Sequence, residues 1–251
     1  MEYSPILAVA TAGFEILAGL WAFSLLWSRR PDGRRPMAPH WGAIATTGAI
    51  LLLLAGYQIT EVAICADVAA AGFLPRLAFI IVTWLPPLGL LLIAQLCSPG
   101  SRARYALPAV ALATGAGVVA WIALDGSFAH ASVCNAVYAR YVHVSARFMW
   151  YGAYYWLGLF GMVATSAYAL LRGRSKESAG SLAHVHLGTL GFVLPSLVVS
   201  YYVPATRHAL PSVLCHFALI LALALTHMLW ELRAVSANVS ELTSSTPEAR
   251  I

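Results

Sequence analysis

The sequence predicts an all-α integral membrane protein, a seven-transmembrane-helix bundle with its N-terminus outside and its C-terminus cytoplasmic. Three observations predict it. Charged residues are 10% of the 251-residue chain and hydrophobic ones 60%, whereas soluble domains carry about a quarter of their residues as charge. Seven apolar runs each reach the roughly 20 residues that a helix needs to cross a hydrocarbon core of about 30 Å. The basic residues are also divided unequally between the two faces that those runs would define.

The first run, 6–27, follows an acidic residue and is too long for the apolar region of a signal peptide, so it reads as a membrane helix. Glu15 lies roughly 14 Å into it at 1.5 Å per residue, deeper than any other carboxylate. The second run, 42–64, returns outward and ends beside Cys65. Tyr57, Gln58 and Glu61 fall three or four residues apart and share one broad face of it. The third, 75–97, holds Pro86-Pro87, which removes helical hydrogen bonds and predicts a kink. The fourth, 106–124, carries Gly115 and Gly117, which permit close helix contact.

After a long 125–144 loop containing Cys134, the fifth run, 145–171, places Tyr151, Tyr154, Tyr155 and Trp156 in its outer half. The interfacial aromatic belt accounts for Trp150, and for Tyr201 and Tyr202 at the end of the sixth run. Tyr154 and Tyr155 fall below that belt, where a hydroxyl needs a partner. The sixth run, 184–203, opens with His184 and His186 and is uncharged from Leu187 to Tyr202, so it spans rather than lying in the interface. Pro204 and Pro211 separate it from the seventh, 211–233. Residues 1–233 therefore form one transmembrane domain and 234–251 a short cytoplasmic tail, read as an amphipathic extension and a flexible end.

With the N-terminus outside, Arg29, Arg30, Arg34, Arg35, Arg102, Arg104, Arg172, Arg174, Lys176, Arg233 and Arg250 would be cytoplasmic. Arg76, Arg140, Arg147 and Arg207 would face outward, an eleven-to-four split in the positive-inside sense. Multi-pass residence in the plasma membrane, a cell inner membrane, follows as the expectation, with membrane lipid as a partner. Cys65 and Cys134 would then share an oxidising face, where a disulfide bond is possible. Cys97 and Cys215 would lie at opposite faces, too far apart to pair.

The charge of +5 does not point to nucleic acid, because the basic residues sit in short clusters between apolar runs. Walker, Gly-x-Ser-x-Gly, His-Glu-x-x-His and Cys-x-x-Cys patterns are absent. The sole lysine, Lys176, lies in a loop, so no retinal Schiff base of the microbial-rhodopsin kind can form in the seventh helix. His216 and His227 are eleven residues apart, unlike the His-x-x-x-His pair of ceramidase-like membrane hydrolases.

Ionisable groups inside a membrane cost about 2.5–3.5 kcal/mol on insertion scales and are functional leads. Glu15, Tyr57, Gln58, Glu61, Tyr154, Tyr155 and His216, the last roughly 8 Å into the seventh helix, converge on the outer half. They form a candidate acidic and polar pocket for a small-molecule or ion ligand, cationic or polar, or for protons. The alternative is structural, with the two acids tying helices together through Gln58, His216 and backbone groups.

Nearer the cytoplasm, His184, His186, His227 and Glu231 can be drawn as a metal site whose ligand types suit zinc or iron. His184 and His186 point about 200° apart on a helix, so both can ligate only if the helix begins after His186. An outer group of Asp67, His130, His143 and His208 has no specific spacing. The leading functional expectation is a binding or transport protein. A membrane-embedded enzyme using Glu/His acid–base or metal chemistry is the alternative, and a sensor or structural subunit the third.

Overall fold

The computed structural model describes residues 5–27, 40–66, 73–97, 102–134, 139–143, 145–172, 176–203, 206 and 209–245. Its helices are α1 (Ile6–Trp27), α2 (Trp41–Cys65), α3 (Leu74–Thr83), α4 (Leu85–Leu96), α5 (Ala106–Leu124), α6 (Ser145–Leu171), α7 (Lys176–Tyr202) and α8 (Leu210–Ser245). Because α3 and α4 are halves of one bent rod, seven helices are long and apolar enough to cross a membrane. A short hairpin, β1 (Ala129–Cys134) and β2 (Ala139–His143), interrupts the helical pattern. The bundle has a hairpin end, where α1 starts, and a basic end, where α1 finishes and α5 and α7 start.

The bent rod is the axis of the bundle. Of its most apolar window 61% is buried, against 17% for the α5 span. It touches α2, α5, α6 and α7, while α8 packs against α7, α1 and α2. Large apolar side chains such as Leu17, Val110, Leu157, Leu187, Val198 and Leu223 remain exposed around the outside. Such a wide apolar exterior suits lipid better than water.

The expected kink lies at Trp84, between α3 and α4. Pro86 and Pro87 have no N–H, so the carbonyls of Val82 and Thr83 lose their usual partners four residues on. The Tyr154 hydroxyl donates to the Thr83 carbonyl at 2.9 Å and fills one of those gaps. Small residues let α6 approach the break closely. A Cβ at Gly158 would strike the Pro86 ring, one at Gly89 would strike Met162, and one at Gly115 would lie 2.9 Å from the Tyr154 hydroxyl.

Cys65 and Cys134 form a disulfide, with Cα atoms 5.7 Å apart, that ties the end of α2 to β1. The strands pair antiparallel, with Cys134 opposite Ala139 and Ser132 opposite Tyr141. Beneath the hairpin, Phe79 meets Phe128, Tyr141, Phe148 and Tyr151 edge to face at centroid distances of 5.0–5.8 Å. Each such pair adds about 0.5–1.5 kcal/mol beyond area burial. Asp125 anchors the other flank, accepting from the Ser127 amide at 3.1 Å, the Ser127 hydroxyl at 2.8 Å and Arg147 at 2.5 Å. The Ser127 hydroxyl, with Arg147 adding to it, holds the Asp125 carboxyl below the ordinary aspartate range.

Two helices extend beyond their expected bounds. α7 begins at Lys176, eight positions before 184, and α8 continues to Ser245 through part of the expected tail. Ala, Ser, Glu and Leu are tolerated well enough for a packed helix to propagate beyond its apolar stretch. Residues 246–251 lie outside the described residues.

Candidate functional site

The acidic cluster starts on α2, whose inward face carries Tyr57, Gln58 and Glu61, all fully buried. The Gln58 amide donates to the Cys215 carbonyl of α8 at 2.8 Å, joining the two helices. Its own carbonyl oxygen has no partner among the described residues. The Tyr57 and Tyr141 hydroxyls lie 3.0 Å apart, linking α2 to the hairpin above it. Glu61 is one turn below the disulfide, facing the Ser212 and Tyr57 hydroxyls, the Ala139 amide and, within electrostatic reach, His216. Neither of its oxygens makes a well-formed hydrogen bond among the described residues.

The hairpin acts as a cap on this cluster. The Ala139 amide donates to the Ser212 hydroxyl at 3.2 Å, holding β2 against the start of α8. One turn on, His216 Nδ1 lies 2.8 Å from the Ser212 carbonyl. A carbonyl only accepts, so Nδ1 carries a hydrogen. The half-buried His216 imidazole is thereby fixed within electrostatic reach of Glu61.

Glu15 comes from α1 and is equally enclosed, with no hydrogen-bond partner for either oxygen among the described residues. Both acids are within electrostatic reach of the Cys215 thiol. Tyr155 also faces Cys215. Both line a narrow central cavity of about 20 Å³ whose other walls include Leu54, Leu85, Leu159 and Phe192. That volume holds about one water.

The structure thus groups Glu15, Tyr57, Gln58, Glu61 and His216 around Cys215 and the hairpin, with Tyr155 at the inner edge. Tyr154 points elsewhere, to the proline break. Sequence reading missed Tyr141, Ser212 and Cys215. Ser212 sits one helical turn before His216 and so shares its face of α8, but nothing local announces that Tyr141 folds back over α2.

At the basic end, His184, His227 and Glu231 come together with potential ligand atoms within 4.8 Å of one another. His186 does not join them. Since α7 is already helical from Lys176, His186 is turned to the opposite side, where its Nδ1 lies 2.8 Å from the Ser166 hydroxyl. Glu231 faces the two histidines rather than Arg233. Asp67 and His208 lie outside the described residues, as do the side chains of His130 and His143.

The chain matches no known protein-family profile and no curated protein.

Proposed function

We propose that this chain is a small multi-pass plasma-membrane protein that binds and conducts protons through the Glu15–Glu61 cluster, the hairpin end facing outward and the basic end the cytoplasm. The observation that carries this reading is the pair of fully buried carboxyls on different helices, Glu15 with no hydrogen-bond partner among the described residues and Glu61 facing hydroxyl and amide donors without a well-formed hydrogen bond to any of them. An ionised carboxylate buried without a counter-charge costs several kcal/mol. Each acid must therefore bring a proton or a cation with it.

A proton fits better than a larger ligand. The central cavity beside Cys215 has room for about one water and nearly all-apolar walls, whereas ligand pockets for organic molecules run to about 300–1,000 Å³. His216, Glu61 and the Tyr57–Tyr141 hydroxyl pair gather groups able to hold or relay a proton under the cap, with Glu15 and Glu61 both in electrostatic reach of Cys215. Two features support the orientation independently: the basic-residue split, and a disulfide at the hairpin end, which needs an oxidising compartment.

The test is proton flux into proteoliposomes holding a pH-sensitive dye, driven by a potassium diffusion potential. Wild-type protein should exceed empty vesicles, with Glu15→Gln and Glu61→Gln each removing the excess and His186→Ala retaining it. Wild-type flux equal to that of empty vesicles, or unchanged flux in both Gln variants, would overturn the reading.

A further inference from the structure

A separate feature stands at the other end of the bundle. A seam of small residues sets how closely α7 and α8 approach. A Cβ at Gly188 would lie 2.8 Å from the Ala224 Cβ, and one at Gly191 would lie 2.7 Å from Ile220. Further toward the basic end, this approach brings His184 of α7 against His227 and Glu231 of α8. The His227 and Glu231 positions are one helical turn apart, so their side chains rise from the same face.

The hydrogen bonds fix the chemistry of the pair. His184 Nδ1 lies 2.8 Å from the Gly180 carbonyl, an acceptor only, so Nδ1 carries the proton and Nε2 the lone pair. That Nε2 is 2.8 Å from His227 Nδ1. A backbone carbonyl holding the far nitrogen of an imidazole is the usual way a metal-binding histidine is oriented. Glu231 adds its carboxylate, with one oxygen 3.5 Å from His184 Nδ1 and the other 3.8 Å from His227 Nδ1.

We propose that His184, His227 and Glu231 bind a zinc ion at the basic end of α7 and α8, independently of the acidic cluster. Zinc takes imidazole nitrogen and carboxylate oxygen at about 2.0–2.2 Å in a tetrahedron, which separates ligand atoms by roughly 3.3 Å. Widening the two ring nitrogens from 2.8 Å by about half an ångström reaches that spacing, while a Glu231 oxygen lies 3.8 Å from His227 Nδ1 and the three ligand atoms lie within 4.8 Å of one another, so the carboxylate closes in by a side-chain rotation. His227 and Glu231 have relative side-chain exposures of 60% and 44%, so a fourth position is open to water. Three protein ligands with one exchangeable position is the open rather than the closed form of zinc site. Binding of zinc replaces the hydrogen between the two imidazoles: His227 Nδ1 gives it up to solvent while its Nε2 takes one from solvent, so the ligating imidazole stays neutral.

The test uses the full chain without an affinity tag of histidines, reconstituted in nanodiscs, stripped with a chelator and dialysed against zinc. Elemental analysis should find one zinc per chain. Cobalt in its place should give the intense visible bands of a tetrahedral site. His227→Ala and Glu231→Ala, at exposed positions that do not threaten folding, should each weaken zinc binding by more than the roughly 10- to 100-fold that loss of an outer-shell group costs. His186→Ala and Glu61→Gln should bind as wild type does. A wild-type chain with no zinc above the dialysis buffer would overturn the proposal and leave a plain hydrogen bond between histidines. Equal binding by wild type and a His184→Ala, His227→Ala double variant would overturn it too.

Discussion

Replacing Glu15 with methionine should make the bundle more stable. Glu15 is fully buried on α1, and neither carboxyl oxygen has a hydrogen-bond partner among the described residues. An unsatisfied buried polar group costs about 1–3 kcal/mol. Insertion scales place a mid-membrane acid at about 2.5–3.5 kcal/mol. Methionine is close to glutamate in length and volume, so Glu15→Met leaves little cavity and forces little overpacking. The expected gain is about 1–3 kcal/mol. For a chain of this size that corresponds to roughly 2–4 °C in Tm for each kcal/mol. The free, buried thiols Cys97 and Cys215 supply the assay. A thiol-reactive fluorophore labels them as the protein unfolds in detergent, and the midpoint of labelling against temperature gives Tm. The same variant should lose proton flux, since a functional site trades stability for activity. A Glu15→Met protein that melts several degrees below wild type would refute the reasoning, because the carboxyl would then be tying helices together.

Removing the disulfide as Cys65→Ser with Cys134→Ser should lower stability. Its 69-residue separation corresponds to about 4 kcal/mol on the chain-entropy relation, a ceiling because spans held in a bilayer are already restrained when unfolded. The melt of the double variant beside untreated and reduced wild type measures it. Around Asp125 the carboxyl is held low, chiefly by the Ser127 hydroxyl and further by Arg147. Its stabilisation is therefore complete above the ordinary aspartate value of about 3.9 and is lost as pH falls through the lower folded value. The Tm difference between wild type and Asp125→Asn should be steady at neutral pH and shrink in acid below about pH 4. At the proline break, Gly158→Ala meets the fixed Pro86 ring and should cost about 1–3 kcal/mol. Gly89→Ala meets the flexible end of Met162 and should cost less, a ranking that parallel melts decide.

The spans were legible because each apolar run is bounded by charge or proline, and the bend because Pro86-Pro87 removes two amide donors from a helix interior. The Cys65–Cys134 bond was legible from helix polarity, which brings both cysteines to one end. The hairpin was not. Ala129–Cys134 and Ala139–His143 are short and lack strong alternation, and their pairing rests on the disulfide, the aromatic layer and Tyr141, all long-range contacts. The candidate site divides along the same line. Helical spacing placed Tyr57, Gln58 and Glu61 on one face, and helix direction brought Glu15 and His216 to similar depth. Spacing along one helix could not show that Cys215 lies within electrostatic reach of both acids. Nor could it show that the Tyr154 hydroxyl serves a carbonyl freed on a different helix. The start of α7 decided the histidines, since eight helical residues before His184 turn His186 away from His227.

Infrared difference spectroscopy on reconstituted protein reads whether Glu15 and Glu61 take up and release protons inside the bundle. The carbonyl band of protonated carboxylic acids is followed through a pH titration in wild type, Glu15→Gln and Glu61→Gln. Proton exchange at both acids gives two titrating components in the wild type, one missing from each variant. A wild-type titration that neither substitution changes would contradict it.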